Sequence, residues 1–436
     1  MERILNVWIN QTQIGILRER NGLWAFRYSE QWLAEPMAHP LCPALPLQAD
    51  EHQDGASHRP VQWYFDNLLP EEGQRQLIAK AADAAITDAF ALLQHFGAES
   101  AGSITLLPPA SEPALGRIQP LSDAELSRRI AQMPMIPLAE QAAKKMSLAG
   151  AQHKVAVIYR DGQLLEPTGN QPSTHILKPD HPGEAWRHTV INEWFVMTLA
   201  RRVGLSVPEV HHRYVPEPVY LIARFDREEG KQGWLRRHCI DACQLDMLAK
   251  EFKYSAGSIE RLAELASRCR PAAVARLRLF EWLVFNVLTG NEDAHLKNLS
   301  FLLSGKDVAL SPFYDLLCTA VYSTRAMGQN GWPEQATMAW PILGAERLQD
   351  ITSSLLVEAG AVMGLKPATA RNSIRKLADG VAAQAPELLR EVEQQAAALA
   401  VARPELRAIF AGELRLLRSI NGIVIKEMVA QLNKDL

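Results

Sequence analysis

Three short runs of alternating apolar and polar residues open the chain, at 3–9, 13–18 and 23–28, with Val7-Trp8-Ile9, Gly15-Ile16-Leu17 and Leu23-Trp24-Ala25-Phe26 at their centres. Period two marks half-buried strands, and Asn10-Gln11 and Asn21-Gly22 between them are turn sequences, so a small antiparallel meander is expected. Pro36, Pro40, Pro43 and Pro46 then forbid a helix. Helical spacing follows near 73–83 and again at 88–95, where Asp88 is placed to cap the start and Gly97 to end it. Residues 102–107 form a strand pattern, Pro108 and Pro109 open a linker, and Ser122-Asp-Ala-Glu125 is a capping box for a helix to about Met133. A boundary between a small N-terminal subdomain and the rest is expected near 108–120. Strands are expected at 155–159, 175–179 and 219–225, the last leading into a charged loop at 226–231, and a helix at 187–203. From residue 241 the spacing is mostly helical, at 241–250, 258–267, 271–288 and repeatedly between 346 and 432, punctuated by Pro333, Pro341, Pro367, Pro386 and Pro404. The order is a β-rich half followed by a helical half.

Composition narrows the class without naming it. With 436 residues, 47% hydrophobic and 22% charged, the chain can build two or three sizeable cores. The net charge of -3 provides no global basic field for direct nucleic-acid binding. The five cysteines, Cys42, Cys239, Cys243, Cys269 and Cys318, form no disulfide framework, and Cys239-x-x-x-Cys243 lacks a second pair of zinc ligands. The first residues lack a signal-peptide core, and no apolar run reaches the ~18 residues of a membrane helix. A cytoplasmic protein without membrane contact is expected.

The stretch from 285 to 316 carries the first candidate chemistry. An apolar helix ends at Gly290, the polar cluster Asn291-Glu-Asp-Ala-His-Leu-Lys-Asn298 follows, and after a short apolar strand comes Phe313-Tyr-Asp315. Asp293 and Asn298 have the spacing of a base and a metal-holding amide in a phosphoryl-transfer loop, with Asp315 as a second metal carboxylate. The same residues also fit a polar loop between a helix and a strand. Ser147-Leu-Ala-Gly-Ala-Gln-His-Lys154, entering a strand, has small residues that let backbone N–H groups approach phosphates closely, although it is neither a Walker A loop nor a G-x-G-x-x-G loop. Lys178 stands near the end of the next strand, as a phosphate-pairing cation or as an ordinary edge-strand lysine. Glu193 on the following helix is either its ion-pair partner or a solvated helix-face residue. The backbone at Ala223 to Phe225, where the chain is expected to cross between lobes, is the natural adenine contact.

Taken together, eight segments in order carry a family resemblance: Phe65-Asp-Asn-Leu-Leu-Pro70, Asp88 to Leu93 through Gly97 and Gly102, Ser147 to Lys154, Thr174 to Lys178, Asn192-Glu193, Arg224-Phe-Asp-Arg227, Asp293 to Asn298 and Pro312 to Asp315. The chain resembles, over nearly its full length, the HipA family of bacterial serine/threonine kinases, the toxins of type II toxin–antitoxin modules. The resemblance implies an α+β, two-lobed protein-kinase-like fold of the phosphoinositide-3/4-kinase type, with a β-rich N-terminal lobe and a C-terminal lobe dominated by helices. Its expected divisions are 1–110, 111–222 with the ATP loop and phosphate lysine, and 223–436 with the catalytic and metal-binding loops. It implies ATP and Mg2+ as cofactors, Asp293 as catalytic base, Asn298 and Asp315 as metal ligands, and Lys178 as the phosphate contact. Nucleotide contacts are implied for Ala149, Gly150, Ala151, Gln152, Lys178, Ala223, Arg224, Phe225, His295 and Lys297, and self-phosphorylation for Ser147. The implied partners are a HipB-like helix-turn-helix antitoxin, with operator DNA reached through it, and a protein substrate such as glutamyl-tRNA synthetase or another aminoacyl-tRNA synthetase. A small-molecule kinase or a mainly structural corepressor are the competing readings. One departure stands out: His153 occupies a position that is often acidic in the family, which would add positive charge beside the phosphates.

Overall fold

In the computed structural model, which describes residues 2–133, 135–231 and 233–435, the opening meander forms as expected, with strands Arg3–Ile9, Thr12–Arg20 and Leu23–Tyr28. Asn21 and Gly22 both have positive φ, the requirement of the tight turn that matches strand twist. The sheet runs in the order 52–53, 23–28, 12–20, 3–9, 104–107, every neighbour antiparallel. The registers Leu5↔Leu17 and Leu17↔Phe26 line up one apolar face. Helices Pro60–Asp66 and Ala89–Phe96 supply its cover, with Trp24 edge-on to Phe90 at 5.2 Å and Phe26 tilted against Phe65 at 5.9 Å. Asp88 caps the second of these helices through the N–H of Ala91.

The residues group into two compact units that interleave along the chain: 1–179 with 221–253 and 300–311, and 180–220 with 254–299 and 312–436. This grouping differs from a division at 110 and 222, because the strands Cys239–Asp241, Ser300–Ser304 and Asp307–Leu310 pair with one another and join the first unit. The first unit also holds a sheet in which His175–Pro179 lies between Val155–Arg160 and the strand Pro218–Ala223, of which residues 221–223 belong to this unit, followed on the far side by Gln163–Thr168 and Arg117–Pro120. The expected charged loop at 226–231 is instead a hairpin of Arg227–Gly230 with Gly233–Arg236.

In the second unit, helix Ala272–Thr289 buries Leu279, Phe280, Trp282, Leu283, Val284, Phe285, Val287 and Leu288, so nearly every face of its C-terminal half meets protein. Helix Pro367–Ala402 buries Ala370, Ile374, Leu377, Ala378, Val381, Ala385, Leu388, Val392 and Ala396 along one stripe. Pro386 does not punctuate this helix. It lies on the exposed face, as does Ala382, whose carbonyl loses its intrahelical donor and meets water. The residues beyond 390 form a core of their own, in which Ala396, Leu406 and Phe410 pack with Tyr214 and Ile409. The helix expected at 241–250 shrinks to Ala242–Leu245. Asp241 and Gln244 make a capping box there, and Met247, with φ of 56°, ends any continuation.

Candidate active site

Gly290 stops the long apolar helix in the left-handed region, with φ of 64°, and a Cβ there would collide with Val424 and touch Ala320. The chain therefore turns sharply into the polar loop, which its own amides then hold. Asn286 donates from Nδ2 to the Trp282 carbonyl and accepts at Oδ1 from Asn291 (2.7 Å), and Asn291 Oδ1 accepts the N–H of Asp293 (3.1 Å). Asn298 Nδ2 donates back to the Asp293 carbonyl at 2.9 Å, and the His295 N–H binds the same oxygen at 2.8 Å. From outside the loop, the Glu292 N–H donates to Thr319 Oγ1 and the Trp340 indole N–H to the Ala294 carbonyl. Tyr314 donates its hydroxyl to the carbonyl of Lys297.

This wiring leaves Asp293 half-buried while His295, Lys297 and Asn298 are buried. The Asp293 carboxylate accepts the Tyr254 hydroxyl at 2.6 Å. Because the Asn298 amide nitrogen is committed to the loop, its Oδ1 is directed away from that bond as a hard oxygen donor. Asp315 is held with φ of 59°, an uncommon conformation for a residue other than glycine and one found at functional sites. Glu193 is buried rather than a solvated helix-face residue, and it lies with Asp315 in the surroundings of the buried Tyr220 phenol, whose pKa burial and these two carboxylates raise.

In the first unit, the segment entering strand Val155–Arg160 is bound from several sides. Ser147 has no exposed surface, its N–H donates to the Glu99 carbonyl at 2.7 Å, and its hydroxyl to the Leu68 carbonyl at 2.7 Å. Ser147 is thus sealed inside. Gly150 has φ of 110°, and a Cβ there would strike the Lys154 ammonium, which donates across the turn to the Ala149 carbonyl at 2.7 Å. Lys154 is the residue that sequence reasoning passed over, although it closes the same motif. Ala149 to Gln152 remain partly or fully exposed, whereas His153 is buried and presents no charge to solvent beside them. Lys178 is buried on an inner strand, which excludes the edge-strand reading.

Ala223 to Phe225 lie within the first unit, just after one of the chain's passages between units, at Tyr220–Leu221. Buried charges surround them. Glu99, fully buried, accepts from Arg227 and Arg236 at 2.8 Å, from Lys144 at 2.7 Å and from Arg224 at 3.4 Å, while Asp226 binds Arg224 and the Gly102 N–H. Burial would raise the Glu99 carboxyl, but Arg236, Lys144, Arg227 and Arg224 reverse this and hold it well below its usual range. The Arg224 guanidinium belongs to this network, and its backbone N–H donates to the Thr174 carbonyl at 2.9 Å. Ala223 and Phe225, by contrast, are partly exposed. Glu99 and Lys144 gave no signal in the sequence, since nothing in the spacing from 99 to 236 joins them.

Comparison with known proteins identifies the family. The HipA N-terminal domain matches residues 5–107 and the HipA-like C-terminal domain residues 146–387. The putative kinase Y4mE of Sinorhizobium fredii is 37% identical over 335 residues, 73% of this chain and 78% of that protein. The serine/threonine-protein kinase toxin HipA of Shewanella oneidensis is 31% identical over 317 residues, 69% of this chain and 71% of that one. A chain of the solved complex of Shewanella oneidensis HipA, HipB and operator DNA superposes with a TM-score of 0.74 at 25% identity, covering 98% of this chain and 99% of its own. The fold is the α+β, two-lobed kinase-like fold. By these matches to both of its characteristic domains, the chain belongs to the HipA family of serine/threonine kinases.

Proposed function

We propose that this kinase is the toxin of a toxin–antitoxin pair, which phosphorylates a serine or threonine of a cellular protein with ATP and Mg2+ and thereby stops translation and growth. An aminoacyl-tRNA synthetase, glutamyl-tRNA synthetase in the first instance, is the substrate we favour, and a HipB-like helix-turn-helix protein the antitoxin. The observation that carries the reading is the Asp293–Asn298 loop, in which backbone and amide bonds hold a partly exposed carboxylate close to a buried amide whose nitrogen is committed to the loop. Asp293 is the base: as the acceptor oxygen bonds to the γ-phosphorus and the bridge to ADP breaks, the acceptor proton passes to its carboxylate. Asn298 and Asp315 supply oxygen donors of the kind Mg2+ prefers, and the ion would neutralise phosphate charge. Lys178 pairs with phosphate, the backbone of Ala149 to Gln152 lines it, the backbone of Ala223, Arg224 and Phe225 meets the adenine, and His295 and Lys297 flank the nucleotide. Ser147 is the site of self-phosphorylation. Purified protein incubated with labelled MgATP and glutamyl-tRNA synthetase is expected to label the synthetase, and Asp293→Asn to abolish this. Labelling unaffected by Asp293→Asn would sink the assignment of the base, and labelling absent from every synthetase tried would remove that substrate class.

A second role is supported by the match to a chain from the HipA, HipB and operator complex: joining antitoxin molecules on DNA. It separates cleanly from catalysis, since Asp293→Asn should relieve growth arrest and leave operator repression intact.

A further inference from the structure

The Tyr254 hydroxyl, from outside the polar loop, donates to the Asp293 carboxylate at 2.6 Å to Oδ1. Its placement is built, not incidental. The Tyr254 carbonyl accepts the N–H of Gly257 at 3.0 Å, closing a turn. Gly257 in turn admits the Trp340 indole so closely that a Cβ would collide with the ring. That indole donates to the Ala294 carbonyl at 3.2 Å, the residue next to Asp293. One tryptophan therefore fixes both the turn that carries the phenol and the loop that carries the carboxylate. On its other side the Tyr254 ring meets the His295 imidazole edge-on, with centroids 5.1 Å apart.

We propose that Tyr254 is a positioning residue for the phosphoryl-transfer base. This rests on the assignment of Asp293 as that base. A carboxylate on a single χ2 torsion rotates freely in water, and a charge-assisted bond to one oxygen fixes the direction in which the other presents its lone pairs to an incoming hydroxyl. In a loose phosphoryl-transfer transition state the acceptor proton leaves late, so orientation of the base counts for more than its strength. A phenol suits this task because it donates without adding a charge that would compete with the metal or the phosphates. The side chain is 37% exposed, so its ring contributes less to the core than the buried tyrosines do.

The test compares wild type, Tyr254→Phe, a variant with p-aminophenylalanine at 254, and Asp293→Asn. Transfer from γ-labelled MgATP to heat-treated soluble protein of the host cell is followed at varied ATP. Tyr254→Phe is expected to lower kcat by about tenfold, with KM for ATP and the thermal midpoint unchanged. The p-amino group, a donor in the same place, is expected to restore most of the rate. A wild-type kcat in Tyr254→Phe, a loss carried by KM, or no restoration by the p-amino variant would each overturn the positioning role. Those results with an inactive Asp293→Asn remove the tyrosine alone; an active Asp293→Asn removes the base assignment and the proposal with it.

Discussion

The Ser147 hydroxyl donates to the carbonyl of Leu68 at 2.7 Å, in a position with no exposed surface. Ser100 and Ser147 also form a parallel bridge, and Pro70 and Gly150 another, so the segment is stitched to two neighbouring stretches of backbone. A phosphate does not fit that arrangement: it adds about -1.5 to -2 charge and three acceptor oxygens where the hydroxyl now donates to a carbonyl. Incubation with MgATP is expected to add one phosphate, mapped to Ser147, at a rate that rises with enzyme concentration, because a buried hydroxyl must first leave its pocket and then reach another molecule. The modified protein should lose the segment's protection from proteolysis and bind ATP poorly. Ser147→Ala should stay unmodified. A concentration-independent reaction, or a phosphate elsewhere, would overturn this.

Glu99 is the point where the buried charges of the first unit meet, with Lys144 three residues before Ser147 tied to it. Burial first, with Arg236 and Arg227 behind it, pulls the Lys144 ammonium down to about 8 against the opposing pull of the Glu99 carboxylate. Glu99→Gln keeps the shape and removes the charge, leaving Asp226 to balance Arg224, Arg227, Arg236 and Lys144. A loss of about 3–5 kcal/mol in stability is expected, as for other buried pairs broken from one side. Glu125→Gln, at a surface carboxylate shared by Arg128 and Arg129, should cost far less. Equal thermal midpoints for the two variants would show that the cluster does not hold the unit together.

Much of the framework was legible because local physics decides it. The meander follows from period-two runs and two asparagine turns, the capped helices from Asp88 and Ser122, and the polar loop from Gly290 and the spacing of Asp293 and Asn298. What escaped depends on partners distant in sequence. The burial of Ser147, the salt cluster of Arg224 and the grip of Tyr254 on Asp293 arise from residues 79, 125 and 39 positions away. The hairpin at 227–236 was hidden for a related reason: its charged residues looked like a solvated loop, but Arg227 and Arg236 turn inward to Glu99. The interleaving of the two units cannot be read from composition, since it is set by which strand pairs with Cys239–Asp241.

Stability of the helical unit should fall as pH rises through neutrality. Burial, reinforced by Asp180, pushes the Glu413 carboxyl up to about 8 against the opposing bond from Tyr214 at 2.7 Å, and burial holds Asp180 at about 6. An acid whose folded pKa is raised binds its proton more tightly when folded, so its contribution is full below its unfolded pKa near 4.5 and is lost as pH climbs to about 8. Glu413→Gln keeps an acceptor for Tyr214 and cannot ionise. Its thermal midpoint is expected to match wild type near pH 5 and to exceed it above pH 8; a constant difference across that range would exclude Glu413 as the source.

Removing the charge of either aspartate should abolish transfer without unfolding the protein, provided the substitution respects the backbone. Asp315 has φ of 59°, where alanine would add strain of about 1 kcal/mol, while asparagine tolerates this region well. Asp293 is half-buried, backbone and amide groups hold its loop, and asparagine keeps an oxygen able to accept the Tyr254 hydroxyl. Asparagine at either position therefore changes charge with little change in structure. Loss of a base or a metal carboxylate costs several kcal/mol in a phosphoryl-transfer transition state, a fall of roughly a hundredfold or more in kcat. Thermal midpoints of Asp293→Asn and Asp315→Asn should stay within about 2 °C of wild type, the scatter of conservative surface changes. The two should differ in rescue: raising Mg2+ restores part of the rate to Asp315→Asn, whose amide still offers one oxygen, and none to Asp293→Asn, which has lost its proton acceptor. Equal rescue of both by Mg2+ would place Asp293 among the metal ligands instead.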